Sequence, residues 1–267
     1  MVRGSAIDSV RQGLGLAAVA VLPLLVGCGT PEGNAAAGEG EGGTTVKSTP
    51  ELVVFVYDRS SSIEDHQLEL ARQLTNDRIR KLNHGDRIAA HELLQLSLDE
   101  PPKRWSETVP QRQWQELAMS RDSTIRARFL QDAQDYLVVF TDTTGRSEID
   151  GTDILSTMHD VAADLRAAQN RKAVLYVFSD MLQSNRTIDM EGLRKMPATS
   201  WVSQESSKGT LPDLAGLCIV VIGARVDNDA SQRVKSFWEE YYEATGAILS
   251  ERNYTLRPVT LPEHPCD

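Results

Sequence analysis

The sequence predicts an α/β fold, a three-layer sandwich with a mainly parallel central sheet between two layers of helices. Two observations carry this. Leu52–Tyr57, Ala173–Phe178 and Leu217–Ile222 are continuous apolar runs rich in β-branched residues, the pattern of strands covered on both faces. Between them lie segments whose apolar residues recur every three or four positions, as in helices that bury one face. Buried strands alternating with amphipathic helices are the signature of β-α-β crossovers.

Taken in order, Leu52-Val-Val-Phe-Val-Tyr57 is the first strand, and it ends abruptly at Asp58. The spacing of Leu68, Ala71, Leu74, Ile79 and Leu82 predicts a helix from Ile63 to Leu82. Ser61 and Glu64 have the form of a capping box at its start, and Gly85-Asp86 stops it. Arg87 to Leu96 is the next strand. Residues 97–116 hold Pro101, Pro102 and Pro110 with Trp105 and Trp114, an irregular excursion packed down by aromatic side chains. Tyr136–Asp142 resembles a strand ending in an acid, yet Ile125, Phe129, Ala133, Leu137 and Phe140 keep helical spacing, so a helix is predicted over 123–142. Ile154, Met158, Val161, Leu165 and Ala168 predict a further helix over 153–169. Residues 181–216 are a long polar stretch with one short helix near 190–196. Val234, Phe237, Tyr241 and Thr245 mark a last amphipathic helix, and there are no internal repeats.

The first 27 residues have the plan of a secretory leader: Arg3 and Arg11, then an apolar stretch from Gly13 to Val26 that is short for a bilayer span. Leu25-Val26-Gly27-Cys28 resembles a lipobox, which implies a lipid on Cys28 as the new N-terminus. Residues 28–50, rich in Gly, Ala, Ser and Thr, then form a flexible tether. Residues 51–267 are enough for one sizeable core and form one domain with a C-terminal tail. The expected location is the cell envelope, either on an outer membrane facing the periplasm or on the outer face of a plasma membrane. Without the leader the chain has 26 basic and 37 acidic residues, which argues against nucleic acid as a partner. Cys218 and Cys266 remain as a candidate disulfide in an oxidising compartment. No CxxC pattern suggests structural zinc. His66, His84, His91, His159 and His264 lack metal-type spacing and are mostly expected at the surface.

In an open α/β sheet ligands bind beyond the carboxyl ends of the strands. Asp58-Arg59-Ser60-Ser61-Ser62 follows the first strand and offers one carboxylate and two hydroxyls at alternating positions, hard oxygens suited to Mg²⁺, Mn²⁺ or Ca²⁺. Thr152 precedes the helix at 153–169, where it also suits a helix cap. Asp180 follows the strand ending at Phe178 through Ser179. This set resembles the metal-ion-dependent adhesion site of von Willebrand factor A domains, in which an Asp-x-Ser-x-Ser loop, a Thr and an Asp follow one another in that order. Gly85-Asp86-Arg87-Ile88 resembles the family's usual lead-in to its second strand. The likeness covers about residues 51–249.

The resemblance implies a Rossmann-like sandwich and a metal site made of Asp58, Ser60, Ser62, Thr152 and Asp180. Asp142, the competing final acid, lies before Thr152 and so out of the family's order. Where Gly commonly follows that acid, this chain has Met181. The resemblance further implies a non-enzymatic binding module whose protein partner donates a carboxylate to the cation. Two other readings remain at this level. One is an A-type domain with a structural role and an empty site. The other is a haloacid dehalogenase-like Mg²⁺-dependent phosphatase, which needs a second acid where Ser60 stands.

Overall fold

The computed structural model describes residues 49–93, 102–111, 119–144, 151–168, 171–193, 195–263 and 265–266. The leader, Cys28 and all but the last two residues of the tether lie outside them, as do Trp114 and His264. Six strands form one sheet: β1 (Glu51–Asp58), β2 (Arg87–Leu93), β3 (Arg104–Thr108), β4 (Lys172–Phe178), β5 (Leu217–Ile222) and β6 (Ile248–Thr255). Their order is β3-β2-β1-β4-β5-β6, with β3 antiparallel to β2 and every other neighbouring pair parallel. This is the doubly wound order, and it reverses between β1 and β4, where such sheets leave a crevice for a ligand.

The expected α/β three-layer fold is the observed one. β1 is central, and its side chains from Leu52 to Tyr57 are wholly buried, each contributing roughly 1.5–3 kcal/mol of apolar burial for the larger ones. Val53, Phe55 and Tyr57 pack against α1 (Asp65–Ile79) and α2 (Met119–Thr141). Leu52, Val54 and Val56 face α3 (Ile154–Ala167), α4 (Trp201–Lys208) and α5 (Asp229–Ala244). The first face carries an aromatic stack, with Tyr57 and Phe178 5.3 Å apart and Phe55 and Tyr176 5.6 Å apart between ring centroids. The second face is mostly aliphatic and meets Trp238, Tyr241 and Tyr242 of α5.

Several elements differ from expectation. α1 opens two residues later, at Asp65: Glu64 is the cap residue and its N–H donates to Gln67 Oε1 at 2.8 Å. Ser61 does not serve, because Ser60–Ile63 form a turn of their own, closed by Ile63 N–H on the Ser60 carbonyl. The helix predicted over 123–142 is observed as Met119–Thr141, since it buries Leu130, Ala133, Leu137 and Phe140 and leaves Tyr136 and Val138 exposed. The excursion at 97–116 contains β3, and its Trp105 stacks on Tyr136 at 5.3 Å. A 3₁₀ turn, Glu191–Leu193, stands for the short helix near 190–196, while α4 and β6 were not foreseen.

Cys218 of β5 is disulfide-bonded to Cys266, with 5.9 Å between Cα atoms. The tail before Cys266 packs on the α1–α2 face, burying Leu261, and the Pro262 carbonyl accepts from the Tyr176 hydroxyl. Among the described residues no helix is long and apolar enough to cross a membrane.

Candidate metal centre

The register of the sheet makes the first half of the site. Tyr57 of β1 pairs with Phe178 of β4, so Asp58 and Ser179 leave the sheet side by side. The Ser179 hydroxyl donates to Asp58 Oδ2 at 2.7 Å. Asp58 Oδ1 accepts from the Ser60 N–H at 2.9 Å, which tightens the turn, and from the Thr152 hydroxyl at 3.3 Å. The Ser60 and Ser62 hydroxyls lie 3.0 Å apart, Ser60 is hydrogen-bonded to the Asp58 side chain, and Ser62 to the Asp180 side chain. Asp58, Ser60, Ser62, Thr152 and Asp180, drawn from three separate stretches of chain, thus form one connected cluster of oxygens at the switch point.

Its electrostatics are unbalanced. Asp58 is fully buried and Asp180 half-buried. Burial pushes the Asp58 carboxyl above its ordinary range against the opposing pull of its hydroxyl and N–H donors. Asp180 is pushed up to about 7, first by burial and then by the neighbouring Asp58, although the Leu182 N–H at 3.0 Å and Ser62 favour its charge. Arg59 adjoins Asp58 in sequence but turns away, ion-paired with Glu92 at 2.5 Å and donating to the Asp142 carbonyl at 2.8 and 3.1 Å. Among the described residues no Lys or Arg pairs with Asp58 or Asp180. Buried carboxylates without a compensating charge are costly. Two acids and three neutral hydroxyls, all hard oxygens, fit a small divalent cation and leave coordination positions for water or a partner. Among the described residues no group of three or more His, Cys, Asp and Glu side chains could hold a metal, so such a centre has to draw on hydroxyls.

The flanking backbone is held closely. Met181 has a left-handed conformation, φ 66°, at the position where the resemblance expects Gly. Three contacts hold it there. Its N–H donates to the Ser179 hydroxyl at 2.9 Å, its carbonyl accepts from Trp238 Nε1 at 2.8 Å, and its side chain is wholly buried in the core. Gly223, just past β5, has φ 108°, and a Cβ there would lie 3.0 Å from the Ser179 carbonyl oxygen. Asp142 is not part of the cluster: its carboxylate is exposed and bonded to Thr144, which holds it below the usual range. Ser179 and Arg59 were not singled out from sequence. Ser179 stands between the end of β4 and Asp180, a usable signal, whereas nothing local announces where Arg59 points.

The histidines correct one expectation. His66 and His159 are exposed, but His84 is half-buried against the Pro110 carbonyl. His91 is buried beneath α3, its Nε2 2.7 Å from Asp164 Oδ2. Its place on β2, between two covered layers, explains the burial. Beside Asp180 opens a cavity of about 350 Å³ lined by the apolar Leu182, Met190, Leu193 and Val234 and by the polar Arg225, Asn228 and Ser231.

No protein-family model and no curated protein sequence matches this chain. Among solved structures it is similar to proximal thread matrix protein 1 from the mussel byssus, at 11% identity and a TM-score of 0.39, over 79% of this chain and 44% of that one. It is also similar to a von Willebrand factor type A structure from Catenulispora acidiphila, at 15% identity and a TM-score of 0.24, over 74% of this chain and 43% of that one. This chain therefore spans less than half the length of either. Likenesses this weak decide nothing about the site.

Proposed function

We propose that this chain is a divalent-metal-dependent protein-binding module of the von Willebrand factor A type, with no enzymatic role, displayed from a membrane by a lipid on Cys28. The observation that carries the reading is the oxygen cluster around Asp58 and Asp180, two acids that no Lys or Arg among the described residues pairs with. Mg²⁺, or Mn²⁺ or Ca²⁺ in its place, supplies the missing charge and is held by Asp58, Ser60, Ser62, Thr152 and Asp180. A cation bound largely through neutral hydroxyls stays electrophilic, and an Asp or Glu carboxylate from a partner protein completes its shell. The cavity beside Asp180 has room for a neighbouring partner side chain. The leader-like N-terminus supports export, and the Cys218–Cys266 disulfide fits an oxidising compartment.

The test is thermal unfolding of the full chain with and without Mg²⁺. Wild type is expected to gain about 2.7 kcal/mol when Mg²⁺ is 100-fold above its Kd. The Ser60→Ala/Ser62→Ala variant is expected to gain nothing. A wild type indifferent to Mg²⁺, Mn²⁺ and Ca²⁺ would favour a structural domain with an empty site. Proteins captured from envelope extract in Mg²⁺, and lost both in chelator and with Asp58→Ala, are the expected partners.

A further inference from the structure

Three segments supply the cluster, but the sheet fixes only two of them. The Asp58 turn and the Ser179–Asp180 pair leave adjacent hydrogen-bonded strands. Thr152 belongs to no long strand; it lies in the loop before α3. Its backbone pairs with Ser184 in both directions, at 2.9 and 2.8 Å. The side chains of the next residue and its partner complete the junction. Asp153 and Gln183 are buried, with 7% and 0% exposure. The Asp153 carboxylate accepts from Gln183 Nε2 at 2.9 Å, from Asn185 Nδ2 at 3.4 Å, and from the Ser156 hydroxyl and N–H at 2.7 and 3.3 Å. Gln183 Oε1 in turn accepts the N–H groups of Ile154 and Leu155 at 2.7 and 3.2 Å, two of the donors that the first turn of a helix leaves without partners.

We infer that Asp153 and Gln183 are positioning residues for the cation site: together they clamp the Thr152 segment to the Asp180 segment and fix the hydroxyl against the carboxylates. This rests on the proposed metal reading. Neither side chain touches the cluster itself. Ordinary helix capping explains the Asp153 bonds to Ser156. It does not explain a glutamine from beyond β4 that satisfies the helix N-terminus and the cap residue at once. Partners behind metal ligands typically govern affinity, and their loss costs roughly 10–100-fold.

The experiment measures Mg²⁺ Kd by calorimetry, and the melting temperature in chelator, for the full chain, Gln183→Ala, the milder Ser156→Ala and the swap Asp153→Asn/Gln183→Glu. In the swap the amide and the carboxylate exchange places, so the hydrogen bond between the two positions and the acceptor for Ile154 and Leu155 both survive. Gln183→Ala is expected to weaken Mg²⁺ at least 10-fold. Ser156→Ala should weaken it less, and the swap should recover most of the affinity. A purely structural role predicts lower melting temperatures with unchanged Mg²⁺ Kd in every variant that folds, and that result overturns the inference. Should Gln183→Ala not fold, Ser156→Ala against the swap decides in the same way. A wild type that binds no Mg²⁺ overturns the underlying reading instead, and the inference with it.

Discussion

The two rims of the sheet treat their acids differently. At the amino rim one of them meets a guanidinium. Glu51 is ion-paired with Arg78, which also donates to the Tyr176 hydroxyl, and Asp86 accepts the N–H groups of Glu51 and Asn83 at 2.9 and 2.6 Å. The Cys218–Cys266 bridge lies toward the same rim, near the start of β5. Among the described residues at the carboxyl rim, Asp58 and Asp180 have hydroxyl and amide donors only: Arg59 is ion-paired with Glu92, and Arg225, which lines the cavity beside Asp180, is ion-paired with Asp227. At the first rim an acid meets a guanidinium; at the second, among the described residues, the acids meet only neutral donors.

Substitutions can break or sharpen that contrast. Arg78→Ala, at the amino rim, strands the buried Glu51 and is expected to cost about 3–5 kcal/mol in urea unfolding, with or without metal. Cys218→Ser/Cys266→Ser releases the tail and is expected to cost roughly 2–4 kcal/mol while the Mg²⁺ response persists. At the carboxyl rim the sign reverses. Asp58→Asn should make the chelated protein no less stable at pH 8, since it removes a buried uncompensated charge, and should abolish the gain from Mg²⁺. Destabilisation in chelator as large as that of Arg78→Ala would erase the distinction between the rims.

A smaller effect follows from protons. Without metal, Asp180 holds its proton up to about pH 7 in the folded protein, against an ordinary value of 3.8. The folded state therefore binds a proton more tightly than the unfolded state between these values. The stabilisation is complete below about pH 4 and lost as pH rises through about 7. Melting temperatures in chelator should fall from pH 5 to pH 8, and saturating Mg²⁺ should remove much of that fall, because the cation takes the proton's place. A slope unaffected by Mg²⁺ would place its origin elsewhere in the molecule.

How far the sequence revealed this architecture depended on where each element sits. β1, β4 and β5 were plain because both faces of each are covered, leaving no polar position in their runs. β3 and β6 are the two edges of the sheet, and their mixed sequences, Arg104–Thr108 and Ile248–Thr255, carry no such run. α4 buries only Val202, too little to leave a periodic trace. In the site, the five oxygen-bearing residues stand at strand ends and before a helix, where local pattern and family resemblance point. The diversion of Arg59 and the grip of Gln183 on Asp153 join residues 33 and 30 positions apart, and no spacing rule reports such pairs.

The Trp238 indole holds the carbonyl one residue beyond Asp180 from deep within α5. A fluorophore shielded from solvent is thus tied to the loop that carries Asp180. With Trp105, Trp114 and Trp201 replaced by Phe, emission from Trp238 is expected to report on that loop without any attached dye.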